Sequence, residues 1–234
     1  MTLQPRASLG ILTSDQGQLP NSKRGTEPRA IENPATLGFP VITEIAEGTL
    51  GRRTPHGDPV LERGYVEAAQ RLVQRGAVAI SSNCGFLIRY QAVVAASVTV
   101  PVALSSMLLL PTLIRQLPAS ARIAVLTYDS TTFGDDMLEL SDPTERSRVV
   151  VGGIEGSKYW HDELKIPAPP TDVAAMEADV GACITGLRAK HPEIAAILFE
   201  CAGFPVVAPQ IRRLTKLPVY DITSLCRMMI AAIN

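Results

Sequence analysis

Aromatic and charged side chains are scarce in this sequence of 234 residues. Aromatic residues make up 5% of the chain and charged residues 19%, and the formal net charge is -1. Proteins that bind nucleic acids normally carry a clustered basic surface, together with aromatic side chains on which bases stack. We therefore expect no nucleic-acid partner.

Long uninterrupted hydrophobic segments are also missing. The first residues, MTLQPRASLGIL, lack the apolar core of a secretory signal peptide. The stretch between Arg89 and Arg115 has no charge and is about as long as a membrane-spanning helix. However, Pro101 and Pro111 interrupt it, and VTVPVAL is typical of a strand. We expect a cytoplasmic protein that has no membrane partner.

The chain also lacks the cysteine patterns that bind metals. It contains four cysteines, Cys84, Cys183, Cys201 and Cys226. They form no C-x-x-C pair, and neither they nor the three histidines show the spacing of metal ligands. Without a secretion signal we expect a reducing compartment, so the cysteines are predicted to be free thiols. The sequence predicts no metal and no cofactor.

The residues that are present alternate between strand-like and helix-like patterns. Apolar and β-branched runs predict strands at 8–14, 39–46, 77–83, 100–106, 122–128, 148–154, 194–200 and 217–222. Helical spacing predicts helices from about residue 58, and at 85–96, 107–117, 131–140, 171–192, 205–214 and 223–233. This alternation indicates an α/β fold with parallel sheets and right-handed crossovers.

Two local features concern the second half of the chain. We expect Thr171 to cap the N-terminus of the helix that follows it. Residues 155–170, EGSKYWHDELKIPAPP, are predicted to be a loop. Within this loop Tyr159 and Trp160 form either a lid or a subunit contact, and the sequence favours neither.

The second half of the pattern repeats the first half. LGILTS, AVAISSNCGF and VPVALSS recur in the same order as IAVLTY, AAILFECAGF and LPVYDITS. The repeat predicts two pseudo-symmetric, Rossmann-like lobes, each a parallel sheet flanked by helices, with the active site in the cleft between them. We expect residues 1–105 to form the first lobe, completed by a C-terminal helix over 223–234. Residues 106–222 are expected to form the second.

One cysteine follows the matching strand in each copy, namely Cys84 in SSNCGF and Cys201 in FECAGF. Each lies between a strand end and a helix start, where free N–H groups and the helix dipole favour negative charge. We therefore expect both thiols to have a lowered pKa. The small residues that follow let a ligand approach the backbone. Two thiols on opposite faces of one carbon would provide both the base and the acid that inversion of that carbon requires.

Structural roles compete with catalytic ones for the cysteines and their neighbours. A single cysteine after a strand is more often a small buried side chain, but the duplication favours catalysis for this pair. Cys183 lies on the apolar face of its predicted helix, and Cys226 lies in the last helix, so both are predicted to be structural. Asn83 is either a helix cap or a ligand contact. Glu200 either orients Cys201, pairs with a basic residue or acts on the substrate.

These motifs resemble the aspartate/glutamate/hydantoin racemase superfamily. SNCGF and ECAGFP each follow a strand of a duplicated lobe, and NPATLGFPV at 33–41 matches an NPATxxFPV segment found in some members. The resemblance extends from LGILTSD to LPVYDITSL, which is nearly the whole chain. It implies a two-lobed fold, catalysis without a cofactor, and an acid/base pair formed by Cys84 and Cys201.

The same resemblance implies which residues bind the carboxylate of the substrate. In the family these are polar residues and backbone amides beside each cysteine and after the first strand of each lobe. The corresponding positions are Ser14, Asn83, Gly85, Thr127 and Ala202. Gly85 and Ala202 would act through their backbone N–H groups.

The sequence also departs from individual branches of the family. Glutamate racemases carry CTHYP after the second cysteine, whereas this chain has CAGFP, with Gly203 in place of the histidine. Their Asp-Ser pair after the first strand is not reproduced by LTSDQG. The sequence CAG at residues 201–203 is closer to the corresponding motif of hydantoin racemases. The superfamily further includes maleate isomerases, arylmalonate decarboxylases and dimethylsulfoniopropionate lyases.

From these observations we expect an isomerase, namely a cofactor-independent racemase or epimerase of a small carboxylate-bearing compound of the amino-acid or hydantoin type. The alternative is an isomerase, lyase or decarboxylase of the same superfamily that uses a cysteine as nucleophile or base. A further alternative is a carboxylate-binding protein without catalytic activity, in which the thiols have ordinary pKa values. A homodimer or higher homo-oligomer is compatible with the sequence.

Overall fold

A computed structural model describes residues 7–15, 25–50 and 53–233, without the side chains of Asp15 and Leu50. The chain forms two four-stranded parallel sheets. The first contains β1 (Ser8–Asp15), β2 (Val41–Leu50), β3 (Ala77–Ser82) and β4 (Val102–Ala103), in the order β2-β1-β3-β4. The second contains β5 (Arg122–Thr127), β6 (Val149–Gly153), β7 (Ile194–Phe199) and β8 (Val219–Tyr220), in the order β6-β5-β7-β8.

The two sheets therefore have the same strand order, as the internal repeat predicts. β1 and β5 each take the second position, and β3 and β7 each take the third. The pairing register also matches, because a shift follows Ser8 in β1 and Arg122 in β5, the first residues of the two strands. The prediction of an α/β fold with two pseudo-symmetric parallel sheets is confirmed.

Helices connect the strands and cover the sheets. The α-helices are α1 (Pro34–Leu37), α2 (Glu62–Gln74), α3 (Gln91–Ala96), α4 (Leu110–Gln116), α5 (Pro143–Arg146), α6 (Lys158–Glu163), α7 (Val173–Lys190), α8 (Ala208–Thr215) and α9 (Ile222–Ile233). Short 3₁₀-helices lie at Thr54–His56, Pro59–Leu61, Gly85–Tyr90, Ser106–Leu109, Asp135–Met137 and Phe204–Val207. No helix in the described part of the chain is long and apolar enough to cross a membrane.

Three predictions about secondary structure are wrong. The helix expected over 131–140 is only a 3₁₀ turn at Asp135–Met137, and Gly134 before it has an extended backbone. The segment 155–170 is not all loop, because the Ser157 hydroxyl accepts a hydrogen bond from an N–H in the first turn of α6. The cap of α7 is Asp172 and not Thr171, since it is the Asp172 carboxylate that accepts the backbone N–H of Ala175.

The C-terminal helix α9 packs on the first sheet. Leu225, Cys226 and Ile230 of this helix share a buried cluster with Leu9 and Ile11 of β1. Cys226 is fully buried, which agrees with the structural role predicted for it. The last helix thus returns to the lobe in which the chain begins.

A separate cluster joins the two halves of the molecule. Phe86 and Ile88, which follow the first cysteine, pack with Ile123 and Val125 of β5 and with Leu198 of β7. Beside this cluster the buried hydroxyl of Ser106 donates a hydrogen bond to the carbonyl of Phe199, at 2.6 Å. The segment after β3 is therefore held directly against the second sheet.

Candidate active site

Cys84 and Cys201 lie at the carboxyl ends of equivalent strands. Cys84 comes two residues after the end of β3, and Cys201 comes two residues after the end of β7. Each precedes a short 3₁₀-helix, which begins at Gly85 in one case and at Phe204 in the other. Both cysteines are partly exposed free thiols. In parallel α/β sheets, this edge is where ligands bind.

The two cysteine segments touch each other through their neighbours. A Cβ atom added to Gly85 would overlap both the carbonyl oxygen and the Oε1 atom of Glu200. Only glycine lets the backbone after Cys84 approach the residue before Cys201 so closely. The contact brings the two strand ends together, as the repeat in the sequence predicts.

The prediction that both thiols have a lowered pKa is wrong. The expected backbone N–H donors are present. Phe86 and Leu87 donate to the Cys84 sulfur and Gly203 donates to the Cys201 sulfur, and these hydrogen bonds lower the pKa of each thiol. Burial outweighs them, and the negative charge of Glu200 adds to it, so that the pKa of Cys84 is raised to about 12. The same two causes raise the pKa of Cys201 well above its usual range. Although each residue is partly exposed, the sulfur atoms are poorly solvated.

Glu200 is a buried carboxyl group that precedes Cys201 and packs against Gly85, and the sequence left its role open. It is 0% exposed. Its Oε2 atom accepts a hydrogen bond of 2.7 Å from the hydroxyl of Thr127, and its Oε1 atom has no hydrogen-bond partner among the described residues. Burial raises the pKa of Glu200 to about 7, against the opposing effect of the Thr127 hydrogen bond. A carboxyl group of this kind changes protonation state near neutral pH.

Three hydroxyl groups form a buried network near Cys84. The Tyr65 hydroxyl lies 2.8 Å from the Ser14 Oγ atom and 2.8 Å from the Thr54 Oγ1 atom. Burial raises the pKa of Tyr65, and the neighbouring charge of Cys84 adds to the shift. Ser14, a predicted substrate contact, therefore lies in the same polar network as Tyr65, a residue of α2 that was not among the predicted site residues.

Tyr159 lies close to the second cysteine. A Cβ atom added to Gly203 would lie 3.5 Å from the Tyr159 hydroxyl and 3.7 Å from the Cys201 Sγ atom. Tyr159 is buried and belongs to α6, inside the segment predicted to be a loop. The Tyr159 hydroxyl and the Cys201 sulfur thus both lie beside the position that a side chain at residue 203 would occupy. Ala202, a predicted contact, is buried beside these residues.

The remaining predicted contacts differ in what they can offer a ligand. The Nδ2 atom of Asn83 donates a hydrogen bond of 2.9 Å to Glu32, and its Oδ1 atom has no partner among the described residues. Its side chain caps no helix, because the residue before the 3₁₀-helix is Cys84. The Thr127 hydroxyl is directed to Glu200 and is fully buried. Thr127 therefore contacts the carboxyl group rather than an open cleft.

A surface cavity of about 470 Å³ lies next to Arg89 and His56. The Arg89 guanidinium pairs with Asp136 at 2.7 Å and donates to the Pro55 carbonyl. Neither Cys84 nor Cys201 lines this cavity, and the guanidinium of Arg89, which does line it, is already paired with Asp136. In the described ranges, no group of three or more His, Cys, Asp and Glu residues could hold a metal ion.

Comparisons of sequence point to one group of curated enzymes. No protein-family model matches the chain. A dimethylsulfoniopropionate lyase from Durusdinium sp. clade D is 28% identical over 225 residues, which cover 92% of this chain and 71% of that protein. Dimethylsulfoniopropionate lyase 5 from Emiliania huxleyi is 25% identical over 228 residues, covering 93% of this chain but 44% of that protein. The chain thus spans about half the length of the latter relative.

Comparisons of structure identify the fold. An allantoin racemase from Klebsiella pneumoniae superposes with a TM-score of 0.64 at 14% identity, over 97% of this chain and 87% of that one. A glutamate racemase from Bacillus anthracis superposes with a TM-score of 0.62 at 14% identity, over 98% of this chain and 82% of that one. Unliganded arylmalonate decarboxylase superposes with a TM-score of 0.53 at 17% identity, over 97% of this chain and 91% of that one. The chain therefore has the fold that the predicted resemblance implies.

Proposed function

We propose that the protein is a cofactor-independent enzyme that transfers a proton at the carbon next to a carboxylate, with Cys84 and Cys201 as the acid/base pair. The observation that supports this best is the contact between Gly85 and Glu200, which joins the two cysteine segments at equivalent strand ends. The charge of Cys84 also contributes to the raised pKa of Cys201, so the sulfurs lie within electrostatic range of each other. Two such groups suit proton removal and proton return.

The substrate carboxylate in this proposal is held by backbone N–H groups at the two strand ends. Gly85 and Ala202 each follow one cysteine; Gly85 is the first residue of a 3₁₀-helix, and Ala202 lies in the turn before another. Asn83 and Ser14 supply polar atoms on the Cys84 side. Thr127 contributes indirectly, because its hydroxyl holds Glu200.

Racemisation or epimerisation is the first candidate for the overall reaction. In this reaction one thiolate removes the proton from the carbon next to the carboxylate, and the opposite thiol delivers a proton to the other face. The presence of a cysteine at both strand ends favours racemisation or epimerisation, because a reaction that uses a single base would need only one cysteine. Amino acids and hydantoins are the substrate types that the paired cysteine motifs suggest.

Elimination is the second candidate, and a specific observation favours it. The chain is similar over 92% of its length to a dimethylsulfoniopropionate lyase. Elimination from such a substrate begins with the same proton removal beside the carboxylate. The carbon–sulfur bond on the next carbon then breaks, leaving an unsaturated acid, dimethyl sulfide and a proton. One thiolate suffices as base, so the second thiol is not required for the bond-breaking step.

Deuterium exchange separates these candidates. The protein is incubated in heavy water with amino acids, hydantoins and dimethylsulfoniopropionate, and each compound is analysed by mass spectrometry and chiral chromatography. Inversion with deuterium at the carbon next to the carboxylate supports racemisation, whereas dimethyl sulfide with an unsaturated acid supports elimination. Saturable binding of carboxylates with neither exchange nor product across the panel would contradict the proposal and indicate a binding protein.

A further inference from the structure

The residue before each of the two cysteines has one buried side-chain oxygen without a hydrogen-bond partner among the described residues. These oxygens are the Oδ1 atom of Asn83 and the Oε1 atom of Glu200. Leaving a buried acceptor unpaired costs free energy, so such atoms are uncommon unless they serve a purpose. Glu200 is 0% exposed, whereas Asn83 is partly exposed. Of the two side chains, Asn83 is therefore the one that a ligand can meet.

The side-chain amide of Asn83 has a fixed orientation. Its Nδ2 atom donates a hydrogen bond of 2.9 Å to the Oε1 atom of Glu32. A carboxylate only accepts hydrogen bonds, so the NH₂ end of the amide must face Glu32 and the oxygen must face the other way. Donation to a charged acceptor also makes the amide oxygen a stronger acceptor. Asn83 therefore offers a ligand an acceptor and not a donor.

The side chain of Asn83 lies on the side of β3 that faces the second cysteine segment. The N–H of Asn83 donates to the Leu12 carbonyl at 3.1 Å, so this residue continues the pairing of β3 with β1. Side chains alternate along a strand, and Asn83 thus shares a face with Ala79. Ala79 belongs to a buried cluster with Ile31 and with Ala202, the residue after the second cysteine. The Asn83 amide therefore borders the space between the two cysteine segments.

The segment that carries Glu32 contacts both cysteine segments. The Nε atom of Arg29 donates a hydrogen bond of 3.0 Å to the carbonyl of Pro205, which follows the second cysteine. Ala30 is buried in the core that covers the second sheet. Glu32 itself binds Asn83. The position of Glu32 is thus set by its own segment and does not depend on a ligand.

We propose that Asn83 determines specificity by accepting a hydrogen bond from an N–H group of the substrate, with Glu32 as the residue that positions its amide. This rests on the proposed function, in which backbone N–H groups hold the substrate carboxylate. An ionised carboxylate has no proton to donate to the Asn83 oxygen, so this oxygen meets another part of the substrate. The substrate class is then a small carboxylate that also carries an N–H group, of which an amino acid is the simplest example. Dimethylsulfoniopropionate has neither an N–H nor an O–H group once its carboxyl is ionised, and it cannot make this hydrogen bond.

Glycine and propionate form a matched pair of probes. Both are small carboxylates with the same number of non-hydrogen atoms, but glycine has an ammonium group where propionate has a methyl group. Dissociation constants are measured by isothermal titration calorimetry with the full-length wild-type protein and with Asn83→Leu, which keeps the branched shape of the side chain and removes the acceptor. We expect the variant to bind glycine about tenfold more weakly and to bind propionate within about twofold of the wild type.

Glu32→Gln is the second variant. Glutamine at this position both accepts and donates, so the Asn83 amide is free to turn over, and the nearby negative charge is lost. We expect glycine to bind about threefold more weakly or worse, again with little change for propionate. Asn33→Leu is the control from the same segment, because the Asn33 amide already bonds to the backbone of Thr26 and Ala35 at its two ends. Both dissociation constants should stay near their wild-type values in this control.

The ratio of the two dissociation constants is the deciding quantity, since general damage to the protein would weaken both ligands alike. An unchanged ratio in Asn83→Leu, or in Glu32→Gln should the first variant not fold, would overturn the inference and leave the proposed carboxylate site intact. If the wild type bound neither compound, the inference and the carboxylate site would both be contradicted.

Discussion

Replacing either Cys84 or Cys201 with serine is expected to lower racemisation or epimerisation by about 10³-fold or more, whereas elimination should lose this much only when the thiol that acts as base is replaced. A serine hydroxyl has nearly the size of a thiol but a far higher pKa, so it neither removes nor delivers the proton at a useful rate. Steady-state rates on the substrate identified in heavy water provide the measurement. The melting temperatures should stay near that of the wild type, because the shape of each side chain is retained.

Cys183→Ala is the matched control for these two variants. Cys183 is a free cysteine in the same chain and has a raised pKa, but it lies in α7, against Gly152 of β6. It is expected to keep turnover within about twofold of the wild type. Equal losses in all three variants would contradict the assignment, since they would indicate general damage to the protein. Full racemisation or epimerisation activity in Cys84→Ser would contradict it as well.

Gly85→Ala is expected to have the largest effect on stability. The added Cβ atom would overlap the carbonyl oxygen and the Oε1 atom of Glu200, and neither the backbone nor the buried carboxyl can move away without breaking other contacts. We expect a loss of about 3 kcal/mol or more in the free energy of unfolding, and loss of turnover. Urea denaturation followed by circular dichroism measures the first quantity.

Gly186→Ala is the control for the glycine substitution. Gly186 is inside α7, and a Cβ atom there would meet nothing within 4 Å. The free energy of unfolding should rise by about 0.5–1 kcal/mol, because alanine is the better helix former. If Gly85→Ala were as stable and as active as the wild type, the two strand ends could not be in contact.

The sequence predicted the strands and the matching strand ends well. Buried strands such as β3 and β7 are short apolar runs, and the repeat of SSNCGF as FECAGF placed both cysteines at equivalent positions. These features depend on local patterns and on the rule that parallel strands end at the same edge. No knowledge of distant contacts is needed for them.

The electrostatics of the site could not be predicted in the same way. The N–H groups that lower a thiol pKa are local, and the sequence indicated them correctly at Cys84 and Cys201. The larger effects are burial and the charge of Glu200, which depend on how the two segments pack. The position of Tyr159 beside Gly203 was not predicted for a similar reason, because Tyr159 reaches Gly203 only when α6 packs against the second sheet.

The most direct test of the central claim is a cross-link between the two sulfurs. With 1,3-dibromoacetone, each thiolate displaces one bromide, so that a three-carbon bridge joins two thiols that face the same small space. We predict one dominant cross-linked peptide pair, containing Cys84 and Cys201, formed in step with loss of turnover and absent from Cys84→Ser. Modification of each thiol by a separate reagent molecule, or a bridge to Cys183 instead, would contradict the account.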